Sequence, residues 1–540
     1  MTGALEHLWR PGPGRHRSLF SGCALCLLLT SVAAVASPTI NGYAQFPGAA
    51  GFTGGSPGVP ALDVPQAAGG CRPPPAGRLS AGGRMAQGQQ PPMRGDYLQP
   101  SLGLNEFYTD NIDLAPAGRK KSDYATFLTP ALSGCTVGSR LRAGFDYTAQ
   151  AIYYARSTPH NKIYNQFKGH LRAELYPDHL FFDANTRYGQ AVINPNAVYS
   201  INNVFKTTNR TNVWIYELSP YWKQSFGALG LATIRYRYGR VAYSGPSLIN
   251  SRSSTSSFDL SKPPGRGGLS WVLNWYSTRV RFERTGQVQY FDNGSLQLGY
   301  PVLQTLQLLA KGGVQSKYRL DGSVIRYGSP YVSAGFRWAN ASASLLVLYG
   351  HRYFGYPWTV QAAYQTRALH FTAAYDETIT DTPRRQTAWS IAQPNTAVPI
   401  TPLNELRIIS VFLEKRASGR VTYLLPLRRR SRITLSIYDD RRNYRTENLG
   451  RNHITGGAVD WMWQFNPLTS FDVSFNRARY IGRLTSDSAD FINRASFGMT
   501  RSLTPNARLR FVLSRASRSS SIATNEYTAN SVMLQLTASF

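Results

Sequence analysis

The chain has 540 residues, with 59 basic against 29 acidic side chains, a formal charge of +30 and 12% aromatics including 32 tyrosines. A soluble chain of this length would divide into three or four domains. Yet mean hydropathy is −0.29, and beyond the N-terminus no apolar run approaches the ~18 residues of a membrane helix. That leaves an all-β protein, either soluble or a membrane barrel whose strands hide their hydrophobicity by alternation.

The N-terminus reads as an export signal over residues 1–36. Arg10, Arg15, His16 and Arg17 form a basic start, Leu19–Ala36 is apolar, and Ala34-Val35-Ala36 offers a cleavage site before Ser37. A retained anchor is the rival reading. Gly22-Cys23 hints at a lipoprotein site, but Phe20 suits it poorly and most of the apolar run follows the cysteine. Cys23 and Cys26 leave with the signal. Cys71 and Cys135 remain, and in an oxidising periplasm they either pair or stay as free thiols.

Residues 37–95 contain GGCRPPPAGRLSAGG and GQQPPMRG. Such a Gly/Pro/Ala-rich stretch buries no core and reads as a disordered periplasmic linker. Contact with peptidoglycan or a periplasmic protein is its alternative role.

From residue 96 to 540 the pattern alternates over long segments. In RLRAGFDYTAQAIYYA, Leu141, Phe145, Tyr147, Ala149, Ala151 and Tyr153 share one face, while Arg142, Asp146, Thr148 and Gln150 share the other. Strands of a soluble sandwich average five or six residues. These are nearer the ~9–11 that cross a bilayer at a tilt. Turn signals give about 22 strands, with a range of 18 to 24. Even-numbered connectors are short (YPDH, SFGA, NPLTS, LTPNA) and most odd ones are longer (NIDLAPAGRKKSD, INPNAVYSINNVF, and Thr380 to Leu403). Outer-membrane barrels have this asymmetry of short periplasmic turns and long extracellular loops. The expected fold is therefore a transmembrane antiparallel β-barrel in the outer membrane of a Gram-negative bacterium. In its last strand Val532, Leu534, Leu536, Ala538 and Phe540 form one apolar face, which would close against the first strand.

The ordered set FYTDNIDLAP (Phe107–Pro116), SDYATFLTPALSG (Ser122–Gly134), RLRAGFDYTAQAIYYAR, LFFDANTRYGQ (Leu180–Gln190) and TNRTNVWIYELSPYW (Thr208–Trp222), with the closing strand, resembles the PEP-CTERM system-associated outer-membrane protein family. The resemblance spans the barrel region. It implies a barrel associated with exosortase systems and exopolysaccharide clusters, and brings no chemistry with it. A closing strand ending in Phe540 likewise resembles the signal read by the barrel insertion machinery. The Gly/Pro-rich linker, Cys71 and Cys135 depart from the family, so it implies no disulfide.

Catalytic signals are weak. His170 and Glu174 lie four apart, a spacing that separates them along a strand, and with Lys168 and Arg172 they read as lumen lining. Asp110, Asn111 and Asp113 lack the order of a calcium loop and read as a solvated first loop. No G-x-S-x-G, P-loop or H-E-x-x-H motif occurs. No catalytic residue, cofactor or metal is expected.

The basic residues carry more. Arg142, Lys168, Arg172, Arg235, Arg237, Arg508 and Arg510 fall on polar faces, because a lipid-facing Arg or Lys costs ~2–4 kcal/mol at mid-membrane. In a pore they would favour anions. As braces they would pair with Asp146, Glu174 and Asp472. Leu427–Arg432, Arg441-Arg442 and Lys120-Lys121 read as rim clusters for phosphate head groups. Tyr153, Tyr154, Trp271, Trp275, Trp461, Trp463 and Tyr480 read as interface girdles.

The leading expectation is a porin-like barrel serving export or surface organisation of an anionic exopolysaccharide. The second is a structural or adhesive barrel plugged by the 380–403 loop and binding polysaccharide through its loops. The third is a rim enzyme. Expected partners are outer-membrane lipids, lipopolysaccharide, the insertion machinery and an anionic polysaccharide. The charge attracts polyanions, but an exported chain meets no cellular nucleic acid.

Overall fold

A computed structural model describes residues 96–194, 197–200, 202–245, 247–262, 268–319, 323–392, 406, 409–425, 431–445, 450–482 and 488–540. The expected signal, linker and Cys71 lie outside these residues. Cys135 itself is disulfide-bonded.

The described residues form one sheet of 22 strands, each antiparallel to the next. The first eight are β1 Tyr97–Thr109, β2 Asp123–Val137, β3 Leu141–Tyr154, β4 Lys162–Tyr176, β5 Leu180–Val192, β6 Arg210–Ser225, β7 Leu231–Tyr243 and β8 Ser251–Lys262. Then come β9 Ser270–Phe282, β10 Val288–Pro301, β11 Leu306–Tyr318, β12 Val324–Ala339, β13 Ala343–His351, β14 Trp358–Gln365 and β15 Leu369–Thr380. A helix, α1, spans Thr382–Ala392. The remainder are β16 Phe412–Leu424, β17 Ser431–Tyr444, β18 Arg451–Asn466, β19 Thr469–Gly482, β20 Ser488–Ser502, β21 Ala507–Ser520 and β22 Tyr527–Ser539.

The sheet closes on itself. β1 pairs with β22 from Ser101 opposite Ser539 to Thr109 opposite Ser531, and the Phe540 N–H donates to the Pro100 carbonyl at 2.9 Å. Closure leaves no edge for lipid to meet, which a membrane span requires. Val532, Leu534, Leu536 and Phe540 are exposed on the outer wall, the face the alternation assigned them. No helix among the described residues is long and apolar enough to cross a membrane.

Alternation decides what each face meets. Tyr153 is 53% exposed on the outside, whereas Tyr154, one residue on, is 5% exposed on the inside. Trp275, Trp461 and Trp463 are exposed on the outer wall as girdle residues should be. Tyr154 and Tyr480 are buried inside, and both are corrected from girdle to lumen. They share the parity of inward neighbours and so could not share a face with Tyr153.

Turns and loops divide by end. At one end the strands are joined by tight turns, as at 138–140 and 467–468; at the other lie the long connectors 110–122, 193–209 and 381–411. The short-turn end is the periplasmic one in an outer-membrane barrel.

The apolar core is at the long-connector end, inside the wall. Val204 and Phe205 from the β5–β6 connector, with Ile112 and Leu114 from the β1–β2 connector, pack on Phe107, Phe127, Ile152 and Tyr154. A second cluster joins Leu406 to Ala191, Val213, Ile215, Val241 and Leu248. In a third, Val411 meets Val280, Phe282, Phe291 and Tyr318. A barrel of this strand number is wide, and here described residues of three connectors pack inward on its wall near the long-connector end.

Candidate functional site: a bridged, arginine-rich lumen

α1 starts where β15 ends. The Asp381 carboxylate accepts the Arg384 N–H at 2.8 Å, the N-cap arrangement that satisfies a free helix donor. Pro383 follows near the helix start, where its missing N–H costs nothing. Burial pushes the Asp381 carboxyl up to about 6, opposed by the Arg384 charge.

From this cap the helix reaches in several directions. Arg385 is held by β16 and β17: one guanidinium nitrogen contacts the Glu414 carboxylate and the other lies 2.7 Å from the Asp440 carboxylate. Arg442, whose side chain is fully buried, shares these acids at 3.7 and 3.4 Å. The next residue, Gln386, accepts a 2.6 Å hydrogen bond from the Tyr243 hydroxyl of β7. Arg384 lies over the Phe291 ring of β10, 4.0 Å from its centroid. One helix thus ties well-separated strands together across the lumen.

Residues of the β5–β6 connector also pack on the inner wall. Arg210 donates to the carbonyls of Ser200, Asn202 and Asn203 at 2.7 to 3.1 Å. The Tyr154 hydroxyl donates to the Val204 carbonyl at 2.6 Å. Arg518, paired with Asp490 at 2.6 Å, donates to the Ala197 carbonyl. Burial pushes the Tyr199 hydroxyl in this connector up to about 12. The two connectors meet where the Leu406 N–H donates to the Ile193 carbonyl at 3.2 Å.

The basic residues nominated by alternation all take inward positions, in two arcs. In the first, Arg172 and Arg235 both bind Asp183, at 2.9 and 3.2 Å, and Arg235 also lies 3.7 Å from the Tyr221 ring centroid. Lys168 stands across from Asp146 on one side and Arg187 on the other. Arg142 is opposite Arg172 and exposed. Arg237 follows Arg235 on the same inward face. In the second arc Arg510 binds Asp472 at 3.1 Å, as the bracing alternative expected, and Arg508 is exposed nearby. Among the described residues neither Arg142 nor Arg508 has a carboxylate in ion-pair reach.

The bracing acid for Arg172 and Arg235 is Asp183, which the sequence reading did not name; Glu174 instead accepts a hydrogen bond from the Asp178 N–H. Lys311, inward on β11, was also overlooked, though alternation with Gln307 and Leu309 would have found it. Arg442 is corrected from rim to lumen, while Arg441 points out and binds Asp439 at 2.9 Å. The first loop is structural: Asp110 holds Asn530 and Asp113 holds Lys206 at 3.7 Å. Among the described residues no three His, Cys, Asp or Glu cluster as a metal site.

No family model and no curated protein matches the chain. Among solved structures it is similar to the siderophore receptor PirA from Pseudomonas aeruginosa, with 10% identity over 83% of this chain and 81% of that one, at a TM-score of 0.41. PirA from Acinetobacter baumannii is 8% identical over the same shares, at 0.44. OccK2 (OpdF) from Pseudomonas aeruginosa is 10% identical over 83% of this chain and all of that one, at 0.34.

Proposed function

We propose that this barrel is an outer-membrane channel for anionic solutes, held constricted by α1 and the β5–β6 connector. The observation that carries the reading is the clasp of Arg385 by Glu414 and Asp440, beside Gln386 bound to Tyr243. It sets a removable bridge inside a lumen whose exposed charges include Arg142 and Arg508. Such charges favour anions in a pore. The likeness to the PEP-CTERM-associated family supports an exopolysaccharide, or a fragment of one, as the anion. The outward face of Val532, Leu534, Leu536, Ala538 and Phe540 is the part offered to the insertion machinery.

Planar-bilayer recording in a salt gradient tests it: discrete steps with an anion-selective reversal potential support a channel, and a folded barrel without steps opposes it. The join between Ile193 and Leu406 favours a second reading, a permanently closed structural barrel that binds polysaccharide through its loops. Silent bilayers together with retention on an acidic-polysaccharide column would select that reading.

A further inference from the structure

The outer wall across β19–β22 and β1 carries a groove of about 530 Å³. Two rungs of outward side chains build it. The lower rung is apolar: Val473, Phe497, Leu513, Val532 and Tyr108 stand opposite one another in turn. The upper rung runs Phe475, Ala495, Arg515, Asn530. Ala495, small and exposed between Phe475 and Arg515, leaves the depression.

This groove straddles the edge of the apolar belt. Along β19 the outward residues change from Val473 and Phe475 to Arg477 and Arg479; along β21 they change from Leu513 to Arg515; along β22 they change from Val532 to Asn530. All three changes fall toward the long-connector end, so the border is that of the outer leaflet. An arginine placed deeper would cost ~2–4 kcal/mol, and that cost falls to about zero to 1 kcal/mol at the interface.

Arg477 and Arg479 lie over the Phe491 ring at 5.4 and 5.6 Å. Among the described residues no carboxylate is within ion-pair reach of Arg477, Arg479 or Arg515. Asp110 also lines the groove, but its carboxylate accepts the Asn530 N–H and side-chain amide at 2.7 and 2.8 Å and faces Lys120 at 3.7 Å.

We infer that this surface binds a phosphorylated glycolipid of the outer leaflet, of the lipid A class. One acyl chain lies in the groove over Ala495, and a phosphate sits on Arg515 and Arg477. Arginine suits this role because its planar donors match phosphate oxygens. The site is on the opposite face of the wall from the lumen and is independent of transport.

The test is thermal unfolding of the full-length mature protein in detergent micelles titrated with lipid A, dephosphorylated lipid A or phosphatidylglycerol. Lipid A should raise the unfolding temperature saturably, and the other two should do so much less. Arg515→Gln with Arg477→Gln should weaken the lipid A response about tenfold, the loss expected of charge-assisted contacts. Ala495→Trp fills the groove from the lipid side without touching the lumen and should remove saturation. Arg279→Gln, an exposed outward arginine on β9, should leave the response unchanged. Equal shifts with dephosphorylated lipid A or phosphatidylglycerol, or variants that respond like the parent protein, would overturn the site.

Discussion

The Arg385 guanidinium lies 2.7 Å from the Asp440 carboxylate, joining a helix inside the lumen to a strand of the wall. With Glu414 on its other side, Arg385 is a cation between two buried acids. Removing one partner of such a cluster costs about 3–5 kcal/mol, because the remaining charges lose their compensation. Arg385→Ala should therefore release α1 from β16 and β17 while the outer wall stays intact. Unit conductance should rise in bilayers. Tyr243→Phe removes one hydrogen bond, worth about 1 kcal/mol, and should produce brief openings only.

Acid should favour the constricted state. Solvated Asp381 would titrate near its ordinary 3.8; seated against the wall it is raised to about 6 by burial. The seated connector thus binds the proton more tightly. Its extra stability is fully present below 3.8 and is lost as pH rises through about 6. Arg384 opposes the shift, and Tyr318 of β11 is the neighbouring titratable hydroxyl. Mean conductance should be lower at pH 4 than at pH 7, and Asp381→Asn should flatten that difference. A profile unaltered by Asp381→Asn would assign the dependence to other groups.

Phe205 anchors the β5–β6 connector, packing edge-on against Phe107 with ring centroids 5.8 Å apart. Phe205→Ala should cost about 3–5 kcal/mol as a buried aromatic deletion. The effect should be local: faster proteolysis within 193–209 and a modest fall in the temperature at which the barrel loses its compact electrophoretic form.

Charges in the lumen should separate by role. Arg142→Gln and Arg508→Gln remove exposed groups that have no carboxylate in ion-pair reach among the described residues, so stability should change by no more than about 0.5 kcal/mol. Anion selectivity should fall, read as a reversal potential closer to zero. Arg235→Gln strips a cation from Asp183 and from the Tyr221 ring, and it should lower stability as well as selectivity.

Much of the wall was legible in the sequence because side-chain period and strand length are local properties. The order of tight turns and long connectors then implied the number of strands and their sense. Inward folding of the connectors was less legible, since it depends on contacts between residues far apart in the chain. The 380–403 stretch was recognised as a plug candidate by length alone, and residues 393–403 lie outside the described structure; nothing local marked Val204 and Phe205 as filling. Arg441 and Arg442 show where the reading stopped short. Treated as a pair they looked like a rim cluster, yet strand parity sends one to the outside and the other between Glu414 and Asp440. Asp183 was missed because its two arginine partners come from β4 and β7, and only register identifies that meeting.

The most direct test is single-channel recording of the parent protein and Arg385→Ala side by side, in a salt gradient. A constricted anion channel predicts small anion-selective steps in the parent protein and clearly larger ones, still anion-selective, in the variant. Silence from both folded proteins, cation selectivity, or equal step sizes would contradict the account.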